Sequence, residues 1–306
     1  MTTLHSPNSL PGLAPDLLAA IGAWDQAAWN LAALALVAAG DGPPEITAAA
    51  QQLLGACGIT AAPGQPVPGG DAMTTRHIAS QAAAPLQQAV ALASGRVINW
   101  GAQSDEALLA QGQASAYGAR AFAELLLPTM GDLASRLATP GARMLDVGTG
   151  VAALAVAFAQ VFPQLQVVGI DVLDRALDLA RRNIAASDVA SRVTVRKQDV
   201  SGFSDDAGFD LAYLPAPFVS GPALHAGLHR VAAALRPGGW LFVVHGKFGG
   251  TPAEDALTRL KTLVYGGTPL DDAAACDLLR SAGLTSVRTA PTPSAAPAIT
   301  IGQKPA

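Results

Sequence analysis

The chain has 306 residues, half of them hydrophobic, which is enough for about two domains. Its net charge is −4, and residues 1–115 carry only two basic side chains, Arg76 and Arg96, against seven acidic ones. That segment therefore offers no electrostatic footprint to a nucleic-acid backbone. Two cysteines, Cys57 and Cys276, exclude a disulfide framework or a cysteine-rich zinc site, and each reads as a small half-buried hydrophobe.

The mean hydropathy of +0.32 comes largely from alanine. The most apolar stretch, Trp24 to Ala39, includes Asp25, Gln26 and Asn30 and is too short to span a bilayer. Met1 to Gly12 has neither a basic region nor a long apolar run, so the expectation is a cytoplasmic protein without a signal peptide.

In chain order, Asp16–Ala39 reads as one or two helices stopped by Gly40-Asp41-Gly42-Pro43-Pro44, and Thr47–Gly55 as a short helix. Thr60–Asp71 is a Pro/Gly loop, Ala72–Ser94 a helix weakened by Pro85, and Asp105–Leu127 mostly helical. From Arg143 the pattern changes. Strands are predicted at Met144–Val147, Gln166–Ile170, Val193–Arg196, Phe209–Leu214 and Trp240–His245. Between them lie helices at Ala152–Val161, Asp174–Ala186 and Leu224–Leu235. Two helices near Ala253–Tyr265 and Asp271–Ala282 precede strands at Ser286–Thr289 and Ala298–Gly302. This alternation predicts an α/β fold with a mostly parallel, seven-stranded Rossmann-like sheet and helices on both faces. A mainly α-helical N-terminal domain, residues 1–112, precedes the sheet domain, residues 113–306.

Leu145-Asp146-Val147-Gly148-Thr149-Gly150-Val151-Ala152 is a strand running into a glycine turn and then a helix, which lets the backbone approach a ligand at the strand's carboxyl end. Val167 to Asp171 is a second apolar strand ending in a carboxylate, suited to accept from ribose hydroxyls. Val193 to Val195 leads to Asp199, and Leu235-Arg236-Pro237-Gly238-Gly239-Trp240 is a helix stop and turn feeding a fifth strand.

In these motifs the sequence resembles the class I S-adenosylmethionine-dependent methyltransferases, over about residues 115 to 306. The resemblance implies S-adenosylmethionine as cofactor. It implies that Asp146, Gly148 and Gly150 hold the methionine portion, Asp171 the ribose and Asp199 the adenine side. Thr149, Val172, Val200 and Leu214 are the expected neighbouring contacts. Ala152 departs from the family, many members of which have a third glycine there. Gly148 to Ala153 also fits the dinucleotide Gly-x-Gly-x-x-Gly/Ala fingerprint, so an NAD(P)-dependent oxidoreductase is one alternative. Against it, Asp146 would set a carboxylate beside a pyrophosphate, whereas an ammonium and a sulfonium suit it. A non-catalytic cofactor-binding scaffold is the other alternative.

Small-molecule methyltransferases of this kind carry a helical or winged-helix-like N-terminal domain that pairs subunits and closes over substrate. Residues 1–112 are compatible with that layout, and a homodimer is expected. Trp24, Trp29 and Trp100 read as core or dimer-interface residues. After strand four, Leu214-Pro215-Ala216-Pro217-Phe218 lacks the Asn or Asp with which relatives grip an amino nitrogen, which disfavours N-methylation of protein or nucleic acid. Tyr117, Pro215, Phe218 and His225 are candidate substrate contacts. His245, at the exit of strand five, is the candidate general base. Lys247 and Arg236 read as solvated charges. No metal cluster is visible in the sequence. The expected acceptor is a small hydrophobic or aromatic molecule, with no nucleic-acid or membrane partner.

Overall fold

The computed structural model describes residues 15–40, 42–59, 72–93, 100–205, 208–292 and 296–306. The expected loop Thr60–Asp71 and the segment Met1–Gly12 lie outside them. The chain divides into two compact units, Met1–Leu86 and Gln87–Ala306. No helix among the described residues is long and apolar enough to cross a membrane.

The first unit contains α1 (Pro15–Ala39), α2 (Pro44–Ala56) and the greater part of α3 (Ala72–Ala93). Pro44 opens α2 at the position where a missing N–H costs nothing. Ala33 and Val37 of α1 pack against Ala50 and Leu54 of α2. Pro85 lies within α3 without ending it.

In the second unit, α4 (Asp105–Ala116) is capped by Ser104, whose hydroxyl accepts from the Ala107 N–H at 3.2 Å. The short α5 (Gly118–Ala121), a π-helical turn at Phe122–Leu126 and α6 (Leu133–Leu137) lead to the sheet. The sheet alternates with its helices: β1 (Arg143–Val147), α7 (Ala153–Val161), β2 (Gln166–Asp171), α8 (Asp174–Ala185), β3 (Val193–Lys197), β4 (Phe209–Pro215), α9 (Gly221–Ala234) and β5 (Leu235–His245). Then come α10 (Pro252–Val264), α11 (Asp272–Ser281), β6 (Thr285–Ala290) and β7 (Ala298–Gln303). The strand order is β3-β2-β1-β4-β5-β7-β6, with β7 antiparallel to both neighbours. The expected Rossmann-like sheet is therefore present.

Strand side chains alternate between the two faces. Met144, Leu211 and Phe242 meet Phe122 and Phe158 on one side, and Phe122 stacks on Phe242 at 5.2 Å between centroids. Leu145, Ala212, Leu214 and Val243 meet Leu224, Leu228 and Leu279 on the other.

Two expectations need correction. The Arg236-Pro237-Gly238-Gly239 run is an irregular first part of β5, because Leu235 already pairs with Phe209 before the register shifts. Gly238 takes a φ of +75°, and a Cβ on Gly239 would meet the Phe209 carbonyl at 2.9 Å, so both glycines are needed for that irregularity. Arg236 is also not simply a solvated charge. Its Nη1 lies 2.8 Å from Oδ2 of Asp210, a carboxylate that also accepts from the Arg143 N–H at 3.0 Å. Burying Asp210 requires such partners.

Candidate functional site

The strand order reverses between β1 and β4, and a cavity of about 440 Å³ opens at their carboxyl ends. Open α/β sheets take ligands at such a switch point. The floor is the glycine turn after β1. Gly148 and Gly150 have φ of +64° and +54°, so the turn exposes backbone at little steric cost. Ala152 holds a left-handed φ of 59° at the N-terminus of α7, a conformation that costs a residue with a Cβ about 1 kcal/mol.

Asp146 is 1 % exposed. Its Oδ2 accepts from Thr149 Oγ1 at 2.6 Å, while Oδ1 is buried without a partner among the described residues. Burial, opposed by the Thr149 bond and reinforced by the charge on Asp171, pushes its pKa up to about 7. Asp171, at the end of β2, accepts from the Gly150 N–H at 2.8 Å through Oδ2 and from the Leu173 N–H at 2.9 Å through Oδ1. It therefore ties the glycine turn to the turn after β2. Burial raises its pKa, against the backbone bonds that lower it. Asp199 bonds Ser201 through its N–H at 2.8 Å and its hydroxyl at 2.7 Å.

All three carboxylates line the cavity, as do Gly148, Thr149, Gly150, Val172, Val200, Pro215 and Phe218. No Lys, Arg or His is among its described lining residues. The electrostatics favour a cation there and oppose a pyrophosphate.

Four expected residues lie elsewhere. Leu214 is fully buried in the apolar layer below the sheet, while Tyr213 and Pro215, on the opposite side of the pleat, reach the cavity. Tyr117 closes α4, whose cavity face carries Leu108, Gln111, Gly112 and Ser115. Two residues beyond Ser115, Tyr117 falls on the far side of the helix. His225 is exposed on α9, its Nδ1 2.8 Å from the Gly221 carbonyl.

His245 is a core residue, not a cleft base. It is fully buried, with Nε2 2.9 Å from Thr300 Oγ1 and Nδ1 3.2 Å from the Leu270 carbonyl. A carbonyl only accepts, so Nδ1 carries a proton. Its ring points below the sheet, and it does not line the cavity.

The sequence reading missed the roof. Trp100, read as core or interface, lines the cavity with Gln111, Ser115, Tyr213 and Tyr265. The readable signal was on α4, where Gly112 and Ser115 interrupt an apolar stripe. A Cβ on Gly112 would meet Val151 Cγ2 at 2.2 Å, so glycine allows α4 to pack directly over the glycine turn.

A family described as a methyltransferase domain matches residues 144–239. The chain is 34% identical over 98 residues to a release factor glutamine methyltransferase of Rhodopirellula baltica, a match covering 31% of this chain and 33% of that protein. The chain thus spans about a third of the length of that curated relative. In structure it resembles an O-methyltransferase family protein from Burkholderia thailandensis (TM-score 0.62, 17% identity, 96% of this chain and 99% of that one). It also resembles human N-acetylserotonin methyltransferase in complex with its cofactor (TM-score 0.62, 16% identity, 97% and 100%). At these identities the structural likeness shows the fold. Residues 144–239 thus match a methyltransferase domain, and the chain shares the fold of these solved structures.

Proposed function

We propose that this protein transfers a methyl group from S-adenosylmethionine to a small hydrophobic or aromatic molecule. The observation that carries the reading is the buried Oδ1 of Asp146, unpartnered among the described residues, in a cavity whose described lining has three carboxylates and no basic residue. An ammonium placed there would meet both an unfilled acceptor and a favourable field. The residues present fit the cofactor. Asp146, Gly148 and Gly150 would hold its methionine end. Asp171, flanked by Val172, would accept from the ribose, and Asp199 and Val200 would face the adenine. Thr149 acts by fixing the carboxylate of Asp146.

When bound, the cofactor would supply a methyl group activated for transfer by its sulfonium. The chain's own part is to align the two reactants and exclude bulk water. Pro215 and Phe218 give the acceptor side an apolar wall. Tyr213, beside Asp146 in the sheet, has its pKa raised by burial and by that carboxylate, so it stays protonated and serves as a wall and donor rather than a base.

We place subunit pairing in the helical N-terminal segment, residues 1–112. Within the first unit, α1 exposes Leu17, Ile21, Trp24 and Trp29, the two tryptophans by 64 % each. Such apolar surface calls for burial against another copy. Light scattering should show a dimer at micromolar concentration.

Titration calorimetry with S-adenosylhomocysteine and with NAD tests the cofactor reading. S-adenosylhomocysteine should bind and NAD should not, and the reverse would end it. The glutamine methyltransferase relative suggests a protein amide as an alternative acceptor. Turnover with a peptide panel and an aromatic panel separates the two.

A further inference from the structure

We propose that Gln88, which does not line the cavity, is a positioning residue that shapes the acceptor subsite and selects an uncharged planar aromatic molecule there. The inference rests on the methyl-transfer reading above and deepens it. It starts from three rings on the cavity wall. Phe218 lies 5.3 Å from Trp100, edge-on, and 5.2 Å from Tyr265, while Trp100 and Tyr265 are 5.4 Å apart. The rings come from three distant places in the chain: the segment before α4, the exit of β4 and the end of α10. A flat aromatic guest completes such a cluster in offset or edge-to-face geometry.

Behind the rings runs a polar chain. The Tyr265 hydroxyl donates to Gln88 Oε1. Gln88 Nε2 donates to Gln111 Oε1 at 2.9 Å, and Gln111 Nε2 donates to Ser115 Oγ at 3.3 Å. Ser115 sets the direction of the whole chain. Its own hydrogen goes to the Gln111 main-chain carbonyl at 2.9 Å, so its oxygen can only accept. That requirement turns the amide of Gln111, then the amide of Gln88, and commits the single proton of Tyr265 to Gln88. Gln88 is 7 % exposed, and both ends of its amide are engaged. It thereby fixes the separation of two cavity-lining side chains, Tyr265 and Gln111.

Charge selects in the same direction. An anionic acceptor would enter beside Asp146, Asp171 and Asp199 with no cation among the described lining residues to meet it. An uncharged ring avoids that repulsion and the desolvation of a carboxylate. Burial pushes Tyr265 up to about 12, so its hydroxyl keeps the proton it gives to Gln88.

The test uses the full chain and two fluorescent probes of equal shape, β-naphthol and β-naphthoate. Each is titrated with and without saturating S-adenosylhomocysteine. Wild type should bind β-naphthol about tenfold or more tighter than β-naphthoate. Gln88→Met keeps the volume and removes the amide. It should weaken β-naphthol by about tenfold while S-adenosylhomocysteine affinity stays within about twofold. Tyr265→Phe keeps the ring and removes the donor; it should weaken the probe similarly, and the double variant should add little to either change. If Gln88→Met does not fold, Tyr265→Phe carries the test alone. Equal binding of the two probes, no binding of β-naphthol, or folded variants with unchanged probe affinity would overturn the proposal. So would a parallel loss of both ligands, the mark of a merely structural role. Failure of wild type to bind S-adenosylhomocysteine would instead overturn the methyl-transfer reading, and the titrations without it would still decide the role of Gln88.

Discussion

The hydroxyl of Thr149 donates a 2.6 Å hydrogen bond to Oδ2 of Asp146, and this bond turns the other carboxylate oxygen, Oδ1, into a buried acceptor without a partner among the described residues. The donor lies three residues beyond the acceptor because the glycine turn folds back toward β2, where the Thr149 N–H meets the Ile170 carbonyl at 3.0 Å. The pair sets a nearly buried carboxyl group at the floor of the cavity.

One consequence is a pH dependence. The pKa of Asp146 is raised from its ordinary 3.8 to about 7, chiefly by burial. Between those two values the unliganded folded protein holds a proton that the unfolded chain releases. This group's contribution to stability is therefore fully present below the lower value and lost as pH rises through the upper one. A cationic ligand reverses the preference, since it favours the ionised carboxylate. S-adenosylhomocysteine, which keeps the ammonium, should bind more tightly as pH rises from 6 to 8. Affinity should fall by up to about tenfold per pH unit on the acid side of the pKa. Calorimetry across that range checks this, and Asp146→Asn should flatten the profile.

Asp171→Ala should weaken S-adenosylhomocysteine binding by about tenfold or more without unfolding the protein. Each charge-assisted bond removed is worth about 1.5–3 kcal/mol, and the bonds to Gly150 and Leu173 that organise the turn go with it. Cofactor titration alongside a thermal melt decides the matter. Unchanged affinity would remove Asp171 from the site.

Gly169 faces Asp146 across the β1–β2 ladder. A Cβ there would lie 2.6 Å from Thr149 Oγ1 and 2.8 Å from its Cβ. Gly169→Ala should push Thr149 off Asp146 and destabilise the fold by about 1–3 kcal/mol, a typical overpacking cost. Cofactor affinity should fall at the same time. Chemical denaturation measures the first effect and titration the second. A stable variant with normal affinity would show that the Thr149–Asp146 bond is not needed.

His245→Ala should act on stability and leave the cofactor site intact. The variant opens a core void and removes the ring's bonds to the Leu270 carbonyl and the Thr300 hydroxyl, for a loss of about 2–4 kcal/mol. Denaturation should show that loss, while S-adenosylhomocysteine affinity stays within about twofold. A stable variant deficient only in turnover would return His245 to the chemistry.

The order and type of the sheet elements were legible in the sequence because they follow from local pattern. Runs such as Met144–Val147 and Gln166–Ile170 are too apolar to be anything but buried strands. The glycines at 148 and 150 announce a turn that approaches a ligand. Asp146 and Asp171 reach the cavity because each sits at or near a strand's carboxyl end, and a parallel sheet gathers those ends. His245 also sits at a strand end, yet its ring went into the core, because which face of a pleat a residue takes depends on the neighbouring strand β7 and on what Leu270 and Thr300 offer it. Leu214 illustrates the same limit one strand away. The roof was legible only in the Gly112 and Ser115 interruptions of α4. Trp100, Gln111 and Tyr265 come from distant parts of the chain, and no periodicity links them. Only the packing of α4 over the glycine turn, which Gly112 permits, brings them to one wall. Local chemistry thus set the acidic, glycine-floored cavity at the strand ends, and long-range packing decided which rings roof it.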